Sequence, residues 1–198
     1  MNYPVQIEKL INLFAKLPGI GHKTAERIVF HILSEPIEYS QELSKILQNL
    51  KRDLKKCKIC GNYSEKDICE ICSDENRDKT KICVVEDPRD LYIIENLKIY
   101  NGLYHILFGL ISPIDGISPE MLNIDSLINR VTDNVKEIIF AFSPTAEAET
   151  TSFYISKLLK DKNLKITKLA YGLPVGSNIR YADIVTLTRS FLNREDIS

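Results

Sequence analysis

"CKICGNYSEKDICEIC", residues 57–72, divides a chain of 198 residues into two textures. It holds Cys57, Cys60, Cys69 and Cys72 in the spacing C-x2-C-x8-C-x2-C. A C-x2-C turn points both sulfurs at one centre. Two such turns supply four thiolates, the donor set of tetrahedral zinc at sulfur distances of about 2.3 Å. Gly61, directly after Cys60, lets the backbone turn back. Two disulfides, an iron–sulfur cluster and a redox C-x2-C pair are the alternatives. Reduced cytosolic thiols disfavour the first, and two copies so close argue against the last. The interval between the pairs is shorter than in common zinc ribbons. One structural zinc is expected, because four thiolates leave no open coordination position. Sixteen residues cannot form a core, so metal binding, worth about 10–16 kcal/mol, would hold the segment folded.

Before the cysteines the apolar pattern is helical. Ile7, Leu10, Ile11 and Phe14 share one face, and Ala25, Ile28, Val29 and Ile32 share another. Pro18 and Gly19 separate the two helices, and Pro36 ends the second. A third helix carries Leu43, Ile46, Leu47, Leu50 and Leu54 on one stripe and ends in "KRDLKK", residues 51–56, where cations suit the negative end of the helix dipole. After the cysteines the texture alternates. "KICVVED" (81–87), "LYHILFG" (103–109), "EIIFAF" (137–142) and "KITKLAYG" (165–172) read as strands. Helical patterns fall at about 88–97, 119–131, 146–161 and 180–193. Such alternation predicts a parallel sheet with helices on its faces. The interval 109–122, "GLISPIDGISPEML", is too rich in Pro and Gly for regular structure and reads as a partner-facing loop. The expected modules are 1–56, helical; 57–76, zinc-binding; 77–172, parallel α/β; and 173–198, a short C-terminal segment.

Apolar residues make up 44% of the chain, enough for a core and too many for bulk disorder. No apolar run reaches the eighteen or so residues that span a bilayer. "MNYPVQIEKLINLF" carries Glu8 and Lys9 inside its apolar pattern, so it reads as an amphipathic helix and not a signal peptide, with the cytoplasm as the expected compartment. Net charge is −1, yet residues 1–60 hold ten Lys/Arg against six Asp/Glu, and the remainder is acidic. That asymmetry hints at a nucleic-acid face on the N-terminal part; scattered surface charge explains it equally well.

Within that part, "LPGIGHKTAERIV" (17–29) places a Gly-Ile-Gly turn before a helix. Gly19 and Gly21 allow angles closed to other residues and let another backbone come close. Unpaired amides at the start of the second helix form an anion site, with Lys23 and Arg27 one turn apart on the same face. The pattern resembles the helix-hairpin-helix motif, and a DNA phosphate is the natural ligand. A packing corner with incidental cations is the alternative. Phosphate contacts carry no base information, so binding should ignore sequence. One such turn reaches few phosphates, and several copies in an oligomer would gain effective concentration.

"VVED" places Glu86 at the end of a buried strand, where ligands of parallel sheets bind. "FSPTAEAE" brings Glu147 and Glu149 after another. This pairing resembles the Toprim domain, whose glutamate and later Asp-x-Asp pair hold magnesium. Here the pair's positions are Ser143 and Thr145, and two hydroxyls do not replace two carboxylates on a hard dication. The order helix-hairpin-helix, four-cysteine site, degenerate Toprim and short C-terminal segment is similar to the RecR family of bacterial recombination mediators over essentially the whole chain. "LPGIGHKTAERIVFHIL", "NRDKTKICVVED", "YHILFGLISPIDGISPE", "FSPTAEAETTSFYI" and "YGLPVGSNIRYADIVTL" carry the likeness, with Phe108, Ala148 and Arg180 as departures. The resemblance implies a non-enzymatic clamp and adaptor that forms homodimers and ring-like homotetramers, contacts DNA through Lys23 and Arg27, and acts with RecO and RecF to help RecA replace single-strand-binding protein at gaps. It assigns partner recognition to Glu147 and Asp115, and subunit swapping to the C-terminal segment. "GLPVGSN" lacks the ending of a phosphate loop, so no nucleotide site is read there. The alternative is a magnesium-dependent Toprim enzyme that nicks or rejoins DNA through Glu86, Glu147 and Glu149. His22, His31 and His105 have no nucleophile at motif spacing and read as surface or core residues, as Cys83 reads as core.

Overall fold

A computed structural model of the chain describes residues 3–194 and 196. It divides into two compact units, Met1–Leu54 and Lys55–Ser198. The first is helical: α1 (Val5–Phe14), α2 (His22–Ser34) and α3 (Ile37–Asp53). Ile11 from α1 buries against Ala25 and Val29 of α2, ringed by Ile7, Leu10, Phe14 and Ile20. The methyl of Ala25 is small enough to bring the two helices together at the turn. Glu35 ends α2 in an extended conformation before Pro36, as the proline ring demands. α3 forms as its periodicity predicts, but none of its residues is buried. Ile46, Leu47 and Leu50 lie exposed.

The second unit starts with a two-stranded hairpin, β1 (Lys55–Lys56) and β2 (Tyr63–Ser64), then the short α4 (Glu70–Ser73). The main sheet contains β3 (Asp78–Val85), β4 (Gly102–Ile106), β5 (Glu137–Ala141) and β6 (Lys165–Lys168). Its order is β4-β3-β5-β6, with all pairs parallel. The last four residues of β3 are buried on both faces, which explains why "ICVV" shows no alternation. Ile82 and Val84 face one core with Leu127, Ile138, Phe140, Ala148 and Ile155. Cys83 and Val85 face the other with Leu91, Tyr104 and Ile106. Helix α5 (Pro88–Asn96) supplies Leu91 to the second core, and α6 (Ile124–Arg130) and α7 (Ala146–Leu158) line the first. Helix α8 (Ile184–Leu192) closes the described chain.

The order reverses beside β3: the chain leaves it for β4 and later returns to its other side as β5. Ligand crevices of open α/β sheets lie at such points, and Glu86 and Ser143 follow the two strands concerned. Two expected helices differ. The helix expected over 119–131 breaks into a 3-10 turn, Pro119–Met121, and α6. Asn123, between them, turns out of helix to donate from Nδ2 to the Ile106 carbonyl, 3.0 Å. The 180–193 stretch breaks likewise, because Asp183 caps α8 by accepting from the Thr186 amide, 2.9 Å. The 109–122 interval is largely irregular, as expected, and it is anchored: Leu110, Ile111 and Ser112 are buried, Ser112 bridges to Ile117, and the Ile111 amide donates to Thr151 Oγ1 at 2.8 Å. Its tip, residues 113–116, is exposed.

Candidate metal centre and nucleic-acid interface

The β1–β2 hairpin and the start of α4 bring the four cysteines together. Cys57 N donates to Asn62 O at 2.7 Å and Gly61 N to Cys57 O at 3.0 Å, closing the first C-x2-C turn. Gly61 takes φ +84°, and a Cβ there would lie 2.9 Å from Phe108 Cε2, so the turn and the contact both require glycine. Cys69 begins the second turn, accepting from Ser73 N at 3.0 Å. Two amides already point at sulfur: Asn62 N to Cys60 Sγ, 3.4 Å, and Cys69 N to Cys57 Sγ, 3.3 Å.

All four Sγ atoms lie within 4.8 Å of one another, and Cys60 and Cys69 are 3.6 Å apart. Tetrahedral zinc with sulfur at about 2.3 Å puts its sulfurs about 3.8 Å apart, so the donor set fits. The thiols are free, as are all five cysteines. Hydrogen bonds shared among the crowded sulfurs pull Cys69 below the ordinary thiol range and push Cys60 above it. A metal ion would replace that sharing by holding all four as thiolates. The centre is also tied to the sheet, for Ile106 N on β4 donates to Cys60 O at 2.9 Å.

In the helical unit the glycine turn is formed by Leu17 N to Phe14 O and Ile20 N to Leu17 O. Gly19 takes φ +77°, a conformation that favours glycine. Gly21 does not: its φ of −80° and ψ of 166° are open to any residue, and a Cβ there would meet nothing within 4 Å. The freedom that glycine allows is used at Gly19 and not at Gly21. Gly21 caps α2 without a side chain. The first amide bonded into the helix is Ala25 N to Gly21 O, so those of His22, Lys23 and Thr24 lack partners among the described residues. Lys23 and Arg27 are exposed beside them, with no ion pair among the described residues.

At the sheet's switch point the acidic groups differ in their surroundings. Glu86 is half-buried, and burial, then Asp90 and Asp87, raise its pKa. Glu147 lies in the first turn of α7, partly exposed. Glu149 is committed: Lys168 Nζ lies 2.8 Å and Arg189 Nη1 3.1 Å from its Oε1. Hydrogen bonding from Lys168 comes first in holding its carboxyl below the ordinary range. Thr145 is committed too, since its hydroxyl accepts from Ala148 N at 3.2 Å and caps α7. Ser143 is exposed. Asp115 sits on the exposed loop tip, accepting from Ser112 Oγ at 2.6 Å.

Lys168 and Arg189 were not among the residues singled out from the sequence. Nothing local to either marks it as a partner of Glu149, which lies 19 and 40 residues away. No helix among the described residues is long and apolar enough to cross a membrane.

Comparison with known proteins agrees with this architecture along nearly the whole chain. The RecR helix-hairpin-helix family matches residues 7–51, the four-cysteine zinc finger domain of RecR residues 54–74, the Toprim domain residues 80–170 and the RecR C-terminal family residues 172–195. The recombination protein RecR of Lactobacillus acidophilus is 52% identical over 98% of both chains. That of Lactobacillus helveticus is 49% identical over 98% of both, and that of Lactobacillus johnsonii 48% identical over the full length of both. With the sulfur geometry above, the zinc finger match makes residues 57–72 a centre for one structural zinc.

Proposed function

The chain belongs to the RecR family of recombination proteins, and on that premise we propose that it is a non-enzymatic DNA clamp and adaptor in recombinational repair. The observation carrying this reading is the N-terminus of α2, which has no side-chain cap: among the described residues the amides of His22, Lys23 and Thr24 lack partners, and Lys23 and Arg27 beside them have no ion pair. A phosphate there accepts amide bonds at the positive end of the dipole. Gly21 supports the same reading: no internal contact asks for glycine, whereas an approaching DNA backbone would. Contacts of this kind ignore base sequence. The protein acts in the cytoplasm as a homodimer or homotetramer, with the C-terminal segment 173–198 joining subunits. Working with RecO and RecF, it promotes RecA loading at single-stranded gaps. Glu147 and the Asp115 tip face partner proteins. The modules 1–56, 57–76, 77–172 and 173–198 divide these tasks.

The adaptor reading is supported by the fate of the acids. Ser143 and Thr145 stand where a Toprim enzyme has carboxylates, Thr145 caps a helix, and Glu149 is held by two cations. Glu86 and Glu147 would therefore have to hold a dication without the Asp-x-Asp pair and without Glu149. The double variant Lys23→Ala/Arg27→Ala tests the DNA contact by fluorescence anisotropy across a salt series. Affinity should fall for every sequence, and the slope of log K against log salt should flatten by about two units as two phosphate contacts are lost. Unchanged binding refutes the contact. The enzymatic alternative is tested on supercoiled plasmid with magnesium: nicking that disappears in Glu86→Gln would establish it.

A further inference from the structure

A recess in the second unit combines cations with an aromatic wall. It encloses about 440 Å³ between the zinc turn and the 3-10 turn, and its lining includes Lys56, Lys58, Phe108, Met121, Asn123 and Ser126. That volume falls within the range of small-molecule sites. Two cations and no carboxylate line it. Lys58 is balanced by Asp67 at 2.6 Å, while Lys56 has no ion pair among the described residues.

Phe108 is the unusual wall. It takes φ +64°, and a bulky side chain in the left-handed region is an outlier that glycine or asparagine would relieve. Strain of this kind clusters at binding sites. The ring edge rests on Gly61. Over one face stands the Lys56 ammonium, 3.5 Å from the centroid. That face is thus covered by a flexible, hydrated cation instead of an apolar neighbour. A four-carbon chain can swing aside, leave the ring to a planar ligand and keep its charge within reach of an attached anion. Met121, largely exposed, offers a soft apolar wall beside it.

We propose that this recess takes one nucleotide of a single-stranded DNA, its base against the Phe108 ring and its phosphate on Lys56. The inference rests on the DNA-binding reading above but uses a different surface. It requires a single strand because only an unpaired base offers its face to an aromatic platform. It differs in kind from the α2 contact, which sees phosphates alone.

The test uses the zinc-loaded full chain and a fluorescein-labelled oligothymidylate, with a duplex of equal length as control. Phe108→Asn keeps a residue that tolerates the left-handed backbone. Loss of one base stack should weaken oligothymidylate binding about tenfold and leave duplex binding unchanged. Lys56→Ala should weaken oligothymidylate in the same direction while zinc release to a chromogenic chelator keeps its wild-type rate. An oligonucleotide carrying 5-iododeoxyuridine should photocrosslink to the peptide containing Phe108 or Met121. Wild-type single-strand affinity in both variants overturns the proposal, as does a Lys56→Ala protein that changes only its zinc release, which would make Lys56 a counter-charge for the thiolates. The Lys23→Ala/Arg27→Ala protein separates the two ideas: if it binds duplex normally the α2 contact fails, whereas a crosslink at Phe108 still stands.

Discussion

Two glycines show how much one hydrogen atom in place of a methyl decides. Gly61 is held at φ +84° with Phe108 Cε2 against its missing side chain. Gly61→Ala must strain the backbone and push the ring, so we expect a loss of roughly 1–3 kcal/mol by chemical denaturation, with faster zinc release. Gly21→Ala meets neither obstacle. Its melting temperature should fall only by the modest cost of alanine at an N-cap while DNA affinity falls, and a variant that binds DNA normally would remove Gly21 from the interface. His105 makes a different point. It is fully buried, with Nε2 2.8 Å from the Asn123 carbonyl oxygen, and burial lowers its pKa to about 4. The unfolded chain therefore binds the extra proton first, from about pH 6.5 downward. This residue's contribution is complete above about pH 6.5 and is lost as pH falls toward about 4, on the order of 3 kcal/mol in all. Denaturant melts of wild type and His105→Gln between about pH 7 and 4.5 should show a shallower decline in the variant.

At the scale of elements, the zinc turn and the sheet edge are one device. The Ile106 amide of β4 donates to Cys60 O, and Asn123 ties the Ile106 carbonyl to the start of α6. Removing zinc should unfold residues 57–72, since nothing else there forms a core. Hydrogen exchange after chelation should speed up across that segment and at Ile106, while the amides of β3 and β5 stay protected. Uniform exchange across the sheet would mean that the zinc turn and the α/β core unfold together. Helix α7 begins on a designated cap: Thr145→Ala should cost about 1 kcal/mol, read as a lower denaturation midpoint. Of these elements the sequence displayed the cysteine spacing, the apolar run of β3 and the helical pattern of α5. It did not display the breaks at Asn123 and Asp183. Apolar periodicity runs straight through both, and what stops the helix is a side chain that finds a carbonyl or amide elsewhere.

For the molecule as a whole, exposed apolar surface is the main unanswered demand. The stripe of α3 is not buried, and Val175, Tyr181, Ile184, Val185, Phe191 and Leu192 are exposed near the C-terminus. Patches of this extent mark interaction sites, in line with the homo-oligomer proposed above. Light scattering should return a mass that is a multiple of the chain's, and Ile184→Asp/Phe191→Asp should lower it. A single-chain mass for the wild type would rule the oligomer out.

By itself the sequence determined what depends on near neighbours. Paired cysteines closely spaced must face one centre, helical-period and buried apolar runs must become helices and central strands, and a proline or glycine must punctuate them. Only tertiary structure decided which groups remain available for chemistry. Glu147 and Glu149 are neighbours in the same helical turn, yet Glu149 is neutralised by cations 19 and 40 residues away. Gly19 and Gly21 stand in one motif, yet only one of them needs its conformation. Availability is set by what packing brings alongside, and packing joins residues whose separation along the chain carries no local signal.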